Sequence, residues 1–295
     1  MARSILPRWY AECKFLHSDS IRLVSDSTDY FTFGRIFRTP TNPRHQDANH
    51  LRVDFCHLEF CHDYFCRYHT ALCDPPHDIA GIAKRDLTVE RCTIDFTLMG
   101  PVDDLIDSFV AGGYQCHDRD LVDLVMCRET ESPAVAAAAF PSKASERVTR
   151  VLDPRDIVDL AQCNARSFNY SSASDTDTKT SPPPAWLVEK LGRQMRQPDN
   201  FHIYSLDHRA FVVLFVPPRE KARDVALVQV IGTDPAARRQ GLATEVLAHA
   251  LSCLPPEVSR VYLEVLGHEE GARTMYEKLG FAVVGTCRSA EFFLH

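Results

Sequence analysis

A short basic turn between an apolar strand and a helix carries the residues of this sequence that are best suited to chemistry. Residues 225–231 form a β-branched run that predicts a buried strand, and Pro235 ends it because proline has no N–H to donate. Arg238, Arg239 and Gly241 follow, just before apolar residues at helical spacing. Backbone N–H groups at a helix start, supported by the helix dipole and by arginines, bind phosphate well. The sequence therefore predicts a phosphate-binding turn.

The turn and a second segment resemble one protein family. The pattern Arg238-x-x-Gly241-x-Ala243, after a strand and before a helix, resembles the acyl-CoA pyrophosphate loop of the GNAT acyltransferase superfamily. One strand later, residues 272–281 read ARTMYEKLGF and are similar to the second CoA-contacting segment of that family. Dinucleotide-binding and P-loop sites are excluded, because neither G-x-G-x-x-G nor G-K-[ST] is present.

The resemblance implies a binding site for acetyl-CoA. The turn would bind the pyrophosphate, and the end of the preceding strand would contact the pantetheine amides through main-chain groups. The implied residues are Val230, Ile231, Gly232, Thr233, Arg238, Arg239, Gln240, Gly241, Leu242, Ala243, Thr244, Glu269, Arg273 and Tyr276. Glu269 departs from the asparagine common in the family, and Arg273 is expected to reach a phosphate of the nucleotide.

Two residues are predicted to be catalytic. By its place in the motif, Tyr276 matches a tyrosine that gives a proton to the departing CoA thiolate; the alternative is that it only packs. The acceptor amine must lose a proton, and Gln229 stands where some family members have a glutamate. Glu264 and His268 are therefore the candidates for general base, although Glu264 also suits a solvated strand position.

Composition narrows the class of protein. The chain has 295 residues, a net charge of −7 and a pI near 6.0, so it lacks the basic surplus of generic nucleic-acid binders. No apolar run approaches the roughly 20 residues that span a bilayer, and no signal peptide is recognisable. With eleven cysteines, reduced buried thiols are more expected than a disulfide framework. We expect a cytoplasmic protein with neither nucleic acid nor membrane as partner.

The expected fold is α+β (mixed α/β), the GNAT fold, with a mixed, mostly antiparallel sheet flanked by helices. The alanine- and proline-rich stretch 132–145 predicts a linker between residues 1–131 and a catalytic domain at 146–295. The order strand, helix, Gly112-Gly113-Tyr114, strand in the first half echoes the order around Leu279-Gly280-Phe281. The first half is therefore predicted to be a degenerate second copy of the GNAT-like fold, without the CoA motif.

Cysteines and histidines cluster at residues 56–77. Cys56, Cys61 and Cys66 recur at five-residue spacing, which matches neither a zinc knuckle nor one helical face. Cys66-x-x-His69 is the one acceptable half-site, so buried thiols and surface histidines are favoured and no metal site is expected. The polar stretch 171–184 predicts either a surface insertion or a lid over the acceptor.

The resemblance implies an N-acetyltransferase that moves an acetyl group from acetyl-CoA to the primary amine of a small molecule. The amine would attack directly in a ternary complex, because no cysteine lies within the CoA motifs to form a covalent intermediate. Two alternatives share the same CoA residues. One is a protein or peptide N-acetyltransferase, and the other is a non-catalytic acyl-CoA-binding sensor or scaffold.

Overall fold

The chain divides into two compact units. A computed structural model describes residues 4–5, 7–31, 34–54, 69–70, 78–86, 90–98, 102–129, 146–170, 182–218 and 224–294. The first unit comprises Met1–Val125, Glu264–Glu269 and Val283–His295, and the second comprises Met126–Leu263 and Glu270–Ala282. The linker expected at 132–145 lies outside the described residues, so the domain boundaries drawn from the sequence stay a prediction.

Strands and helices alternate along the described chain. In order they are β1 Ser4–Ile5, α1 Arg8–Val24, β2 Ser27–Phe31, β3 Gly34–Arg38, β4 His50–Val53, β5 His69–Thr70, α2 Ile79–Gly81, β6 Arg91–Asp95, α3 Asp103–Ala111, β7 Tyr114–Glu129, β8 Val148–Arg150, α4 Ile157–Ser167, α5 Ala185–Met195, β9 Phe201–Leu206, β10 Ala210–Phe215, β11 Val225–Thr233, α6 Leu242–Ser252, β12 Arg260–Leu266, α7 Glu270–Lys278 and β13 Ala282–Leu294. None of the helices in the described ranges is long and apolar enough to cross a membrane.

The first unit contains a mixed sheet with the strand order β2-β3-β4-β6-β13. Its strands pair antiparallel except for β4 and β6, which run parallel. The apolar side chains of this sheet pack against α2 and α3 around Ile36, Leu51, Ile94, Phe109 and Phe292, each at most 1% exposed. Burial of these large side chains supplies the main stabilising free energy of the unit.

The second unit repeats this arrangement in the order β12-β11-β10-β9-β8. Neighbouring strands pair antiparallel from β8 to β11, and β11 pairs parallel with β12. Strands β9 and β10 are buried at every residue. Val246, Leu247 and Ala250 of α6 are fully buried at helical spacing, which is typical of a helix that covers a sheet.

The two units share one order of elements. In each, antiparallel strands lead to a parallel pair joined through a helix, and a nine-residue helix follows (α3 or α7). Both nine-residue helices end near a glycine in the left-handed region, Gly113 with φ 94° and Gly280 with φ 86°. The echo predicted from Gly112-Gly113-Tyr114 and Leu279-Gly280-Phe281 is therefore present in the backbone.

One long helix was not apparent from the sequence. No helix was expected at α1, because the buried polar side chains of Glu12, Lys14 and Asp19 interrupt the apolar periodicity. The cysteine and histidine cluster at 56–77 lies almost wholly outside the described residues.

His50 on β4 makes the stability of the fold sensitive to acid. Burial, together with Arg91 and Arg52, lowers the pKa of His50 to about 3, from an ordinary value of 6.5. A folded chain that resists protonation of a histidine loses stability as the pH falls below the unfolded pKa. Between about pH 7 and pH 5, we expect the free energy of unfolding of the wild type to fall by about 2 kcal/mol more than that of His50→Gln. Urea unfolding at both pH values measures this, and equal losses in the two proteins would contradict it.

Candidate functional site

Strand β11 carries an irregularity in its middle. Its pairing with β10 shifts register, since Val230 pairs with Val213 while Val228 pairs with Leu214. Gln229 is thus the extra residue of a β-bulge. Bulges bend a strand, interrupt its ladder and are frequent beside active sites. The bend falls just before the four residues expected to contact pantetheine.

On the edge of β11 that faces away from β10, the strand pairs with β12 over a short stretch. The parallel ladder with β12 runs from Val225 opposite Arg260 to Leu227 opposite Tyr262. Within the described residues the ladder ends there, so 230–233 lie beyond it. Because a strand carries N–H and C=O groups along both edges, this segment can offer main-chain hydrogen bonds to a ligand.

The end of β11 packs closely against its neighbours. A Cβ built on Gly232 would lie 2.5 Å from Cε1 of Phe211 and 2.9 Å from Cβ of Ser167. Beyond it, Asp234 accepts hydrogen bonds from the Ala236 N–H at 3.0 Å and from Arg166 Nε at 2.7 Å. These contacts fix the direction in which the chain enters the basic turn.

The basic turn has an unusual backbone. Arg239 lies in the left-handed region with φ 65° and has an exposed side chain. Holding a residue other than glycine there costs about 1–3 kcal/mol, and such strain is concentrated at ligand-binding turns. Arg238 Nη2 donates to Ser167 O at 2.9 Å, and Gln240 Oε1 accepts from Arg209 Nη2 at 3.0 Å. These hydrogen bonds orient the side chains of Arg238 and Gln240, the two neighbours of Arg239 in the chain.

Helix α6 begins without a side-chain cap. Gly241 occupies the N-cap position with φ 79°, and no side chain accepts a hydrogen bond at this end. The first bond of the helix runs from Glu245 N to Gly241 O at 3.0 Å, so Leu242, Ala243 and Thr244 have no intrahelical acceptor for their N–H groups. Free N–H groups, the positive end of the helix dipole and two arginines together suit a diphosphate.

The second predicted segment lies on and beside α7. Tyr276 is 6% exposed, and its ring meets that of Phe281 edge-on with centroids 6.0 Å apart. Arg273 is exposed and donates to Glu277 Oε1 at 2.9 Å. Tyr276 and Arg273 belong to the second unit, as the turn does. Glu269 is exposed and belongs to the first unit.

Glu264, the predicted base, lies in the first unit among side chains of α1. Its Oε2 is 3.0 Å from His17 Nε2, and its Oε1 is 3.5 Å from Cys13 Sγ and 3.9 Å from Lys14 Nζ. Burial alone would raise the pKa of the Glu264 carboxyl, but His17 and Lys14 hold it well below its ordinary value. The group is therefore a permanently ionised carboxylate near neutral pH.

Sequence reasoning missed the residues around Glu264. Lys14 Nζ lies 2.6 Å from Asp95 Oδ2, and this partner outweighs the effect of burial and raises the pKa of Lys14. Burial and the charge of Glu264 raise the pKa of Asp123 to about 6. The spacing of Cys13 and His17, four residues apart, was the available signal, but it required knowing that α1 is a helix.

Comparisons with known proteins identify the architecture. Residues 170–281 match the family model described as the Acetyltransferase (GNAT) family. A GCN5-related N-acetyltransferase from Kribbella flavida is 14% identical, with a TM-score of 0.52 over 95% of this chain and 94% of that one. A tandem GNAT protein from the clavulanic acid biosynthesis pathway is 11% identical, with a TM-score of 0.51 over 95% of each chain.

A functionally unknown conserved protein from Staphylococcus epidermidis is also similar, at 11% identity and a TM-score of 0.54 over 90% of this chain and 93% of that one. At these identities the solved structures show the fold alone. A comparison with curated proteins found no match. The predicted fold, a mixed and mostly antiparallel sheet flanked by helices in two tandem modules, is confirmed.

The close packing of Gly232 gives a test of how rigidly the end of β11 is held. Gly232→Ala should lower the free energy of unfolding by about 1–3 kcal/mol, because the new methyl group meets buried atoms of Phe211 and Ser167. Gly271→Ala is the matched control, since a Cβ there has no atom within 4 Å. Urea unfolding of both variants measures the effect. A Gly232→Ala protein as stable as the control would show that the end of β11 yields easily.

Proposed function

Because the chain belongs to the GNAT superfamily, through the domain matched at residues 170–281, we propose that it is an acetyl-CoA-dependent N-acetyltransferase. In this proposal it moves the acetyl group to the primary amine of a small molecule. The observation that carries the proposal is the basic turn at 238–241 followed by the uncapped start of α6. A diphosphate is the ligand that this arrangement suits best, and CoA carries one.

The pyrophosphate of acetyl-CoA would lie on the N–H groups of Gln240 to Thr244. Arg239 supplies a positive charge from a backbone already held in the left-handed conformation, so little ordering remains to be done on binding. Arg238 has one N–H engaged by Ser167 O, and its other guanidinium N–H groups are available for phosphate. Leu242 is buried and anchors the first turn of the helix.

The pantetheine arm would extend along β11. Val230, Ile231, Gly232 and Thr233 lie beyond the last described pair with β12, and their main-chain groups suit the two amides of pantetheine. Hydrogen bonds from main-chain groups do not depend on which side chains the strand carries. The apolar side chains of β11 can therefore pack in the core while its main-chain groups bind the ligand.

The chemical step would be direct attack of the neutral amine nitrogen on the thioester carbonyl carbon. The new C–N bond forms, the C–S bond breaks with its electron pair on the CoA sulfur, which leaves as a thiolate, and the proton lost by the amine nitrogen passes to a water chain. Tyr276 would give its phenolic proton to that thiolate, since a phenol with a pKa near 10 can protonate a group of similar basicity.

Glu264 has less support as the general base. A base needs a pKa near the operating pH, and the pKa of the Glu264 carboxyl is well below its ordinary value. Arg273 belongs to the same unit as the basic turn and is exposed, which suits contact with the nucleotide end of CoA. A contact of Glu269 with CoA stays a prediction. A cytoplasmic location stays a prediction.

The phosphate part of the proposal is tested at Arg239. Arg239→Ala should weaken the binding of acetyl-CoA about 10- to 150-fold, because a charged hydrogen bond to phosphate contributes about 1.5–3 kcal/mol. Arg155→Ala is the matched control, since Arg155 is an exposed arginine of the same unit, with a side chain 89% exposed. Isothermal titration measures both. Equal affinity of the two variants would exclude Arg239 from the site.

The acid role is tested at Tyr276. Tyr276→Phe should lower kcat by about 100-fold or more while the Kd of acetyl-CoA stays nearly unchanged, because the ring is kept and the proton donor is lost. Release of free thiol during turnover measures kcat. An unchanged kcat would leave Tyr276 with a packing role alone.

The acceptor class is tested with the wild-type protein. Thiol release is expected with members of a panel of small primary amines and not with a matched panel of lysine peptides. Turnover on peptides alone would favour the protein acetyltransferase alternative. Tight acetyl-CoA binding without turnover on either panel would favour a sensor or scaffold.

A further inference from the structure

Three side chains that can bind a metal meet in the first unit, whereas the basic turn belongs to the second. Cys13 and His17 are four residues apart on α1, so they lie on one face of that helix. Glu264 reaches them from the end of β12. The sulfur, the imidazole nitrogen and the carboxylate oxygen that could act as ligands all lie within 4.8 Å of one another.

The distances are close to those between the ligands of one zinc ion. Tetrahedral coordination with bonds of about 2.0–2.3 Å separates neighbouring ligand atoms by about 3.3–3.8 Å. The structure places Cys13 Sγ 3.5 Å from Glu264 Oε1 and His17 Nε2 3.0 Å from Glu264 Oε2. Small movements of these side chains would therefore bring all three into the coordination sphere of one ion.

The contact between His17 and Glu264 has another informative property. Although Nε2 of His17 is 3.0 Å from Oε2 of Glu264, the two atoms are not in hydrogen-bond geometry, and this buried nitrogen has no hydrogen-bond partner among the described residues. A buried nitrogen without a hydrogen bond is costly unless something else satisfies it. A metal ion between the two atoms would satisfy it.

We propose that Cys13, His17 and Glu264 bind one Zn²⁺ ion, with three protein ligands and an open fourth position. The mixture of sulfur, nitrogen and oxygen donors favours zinc over magnesium or calcium, which prefer oxygen alone. The side chains of His17 and Glu264 are 19% and 16% exposed, so the ion can enter from solvent. The ion would tie α1 to the end of β12 within the first unit. None of the three ligands belongs to the segment 56–77.

The charges around the three ligands agree with a bound cation. Lys14 and Arg52 are positive charges that act on Glu264, and the closer partner of Lys14 is Asp95 Oδ2 at 2.6 Å, against 3.9 Å for Glu264 Oε1. Asp123 adds a further carboxyl whose charge interacts with that of Glu264. A divalent cation would offset the charges of Glu264 and a Cys13 thiolate.

The test uses the full chain, stripped with EDTA and then titrated with Co²⁺ and Zn²⁺. We expect one ion per chain, a sulfur-to-cobalt charge-transfer band, and d–d bands typical of four-coordinate cobalt. Cys13→Ser should lose the charge-transfer band, and His17→Gln should weaken Zn²⁺ binding at least tenfold. Cys92→Ser is the matched control, a buried cysteine of the same unit that should keep the spectrum.

Competing outcomes are separated by two further measurements. A band that survives Cys13→Ser but disappears in Cys66→Ser would place the metal in the segment 56–77 and overturn the proposal. Absence of any stoichiometric metal in the wild type would overturn it as well. At one zinc concentration, zinc should also raise the Tm of the wild type and of Cys92→Ser by more than that of His17→Gln, which checks the site in folded proteins.

Discussion

The parallel pairing between β11 and β12 comprises three residue pairs in the part of the chain that the structure describes, and the proposed activity depends on that short ladder. A sheet that continued to pair would use the main-chain groups of 230–233 internally and leave none for a ligand. The bulge at Gln229 bends β11 at the same level, and the close contact of Gly232 with Phe211 holds the bent end in place. The strand then delivers the chain to the basic turn and the start of α6.

The first unit shows a different physical problem, the burial of charge. Lys14, Asp95 and Glu264 are ionised within a few ångströms of one another, and isolated charges at such positions would cost several kcal/mol each. Mutual pairing offsets that cost. The pairing also decides what the cluster can do: it makes Glu264 a weak base, and it leaves a sulfur, a nitrogen and a carboxylate oxygen close enough to bind a metal. The same surroundings thus disfavour one role of Glu264 and favour another.

Sequence reasoning predicted the parts of the protein that depend on local pattern. The strand at 225–231, the turn and the start of α6 were predictable from a β-branched run followed by proline and glycine, which each affect the backbone at a defined position. The repetition of two modules was predictable from the glycines that end α3 and α7. Helix α1 was not, because Glu12, Lys14 and Asp19 face inward, and their burial depends on partners distant in the chain. The surroundings of Glu264 depend on α1 and were hidden for the same reason.

In the proposed activity, the uncapped start of α6 and the turn before it bind the diphosphate of acetyl-CoA. Isothermal titration of the purified chain with acetyl-CoA, at low and at high salt, measures that binding. We expect one molecule bound per chain, with an affinity that falls as ionic strength rises because phosphate contacts are screened. Failure of acetyl-CoA to bind at low salt, or an affinity that salt does not change, would contradict it.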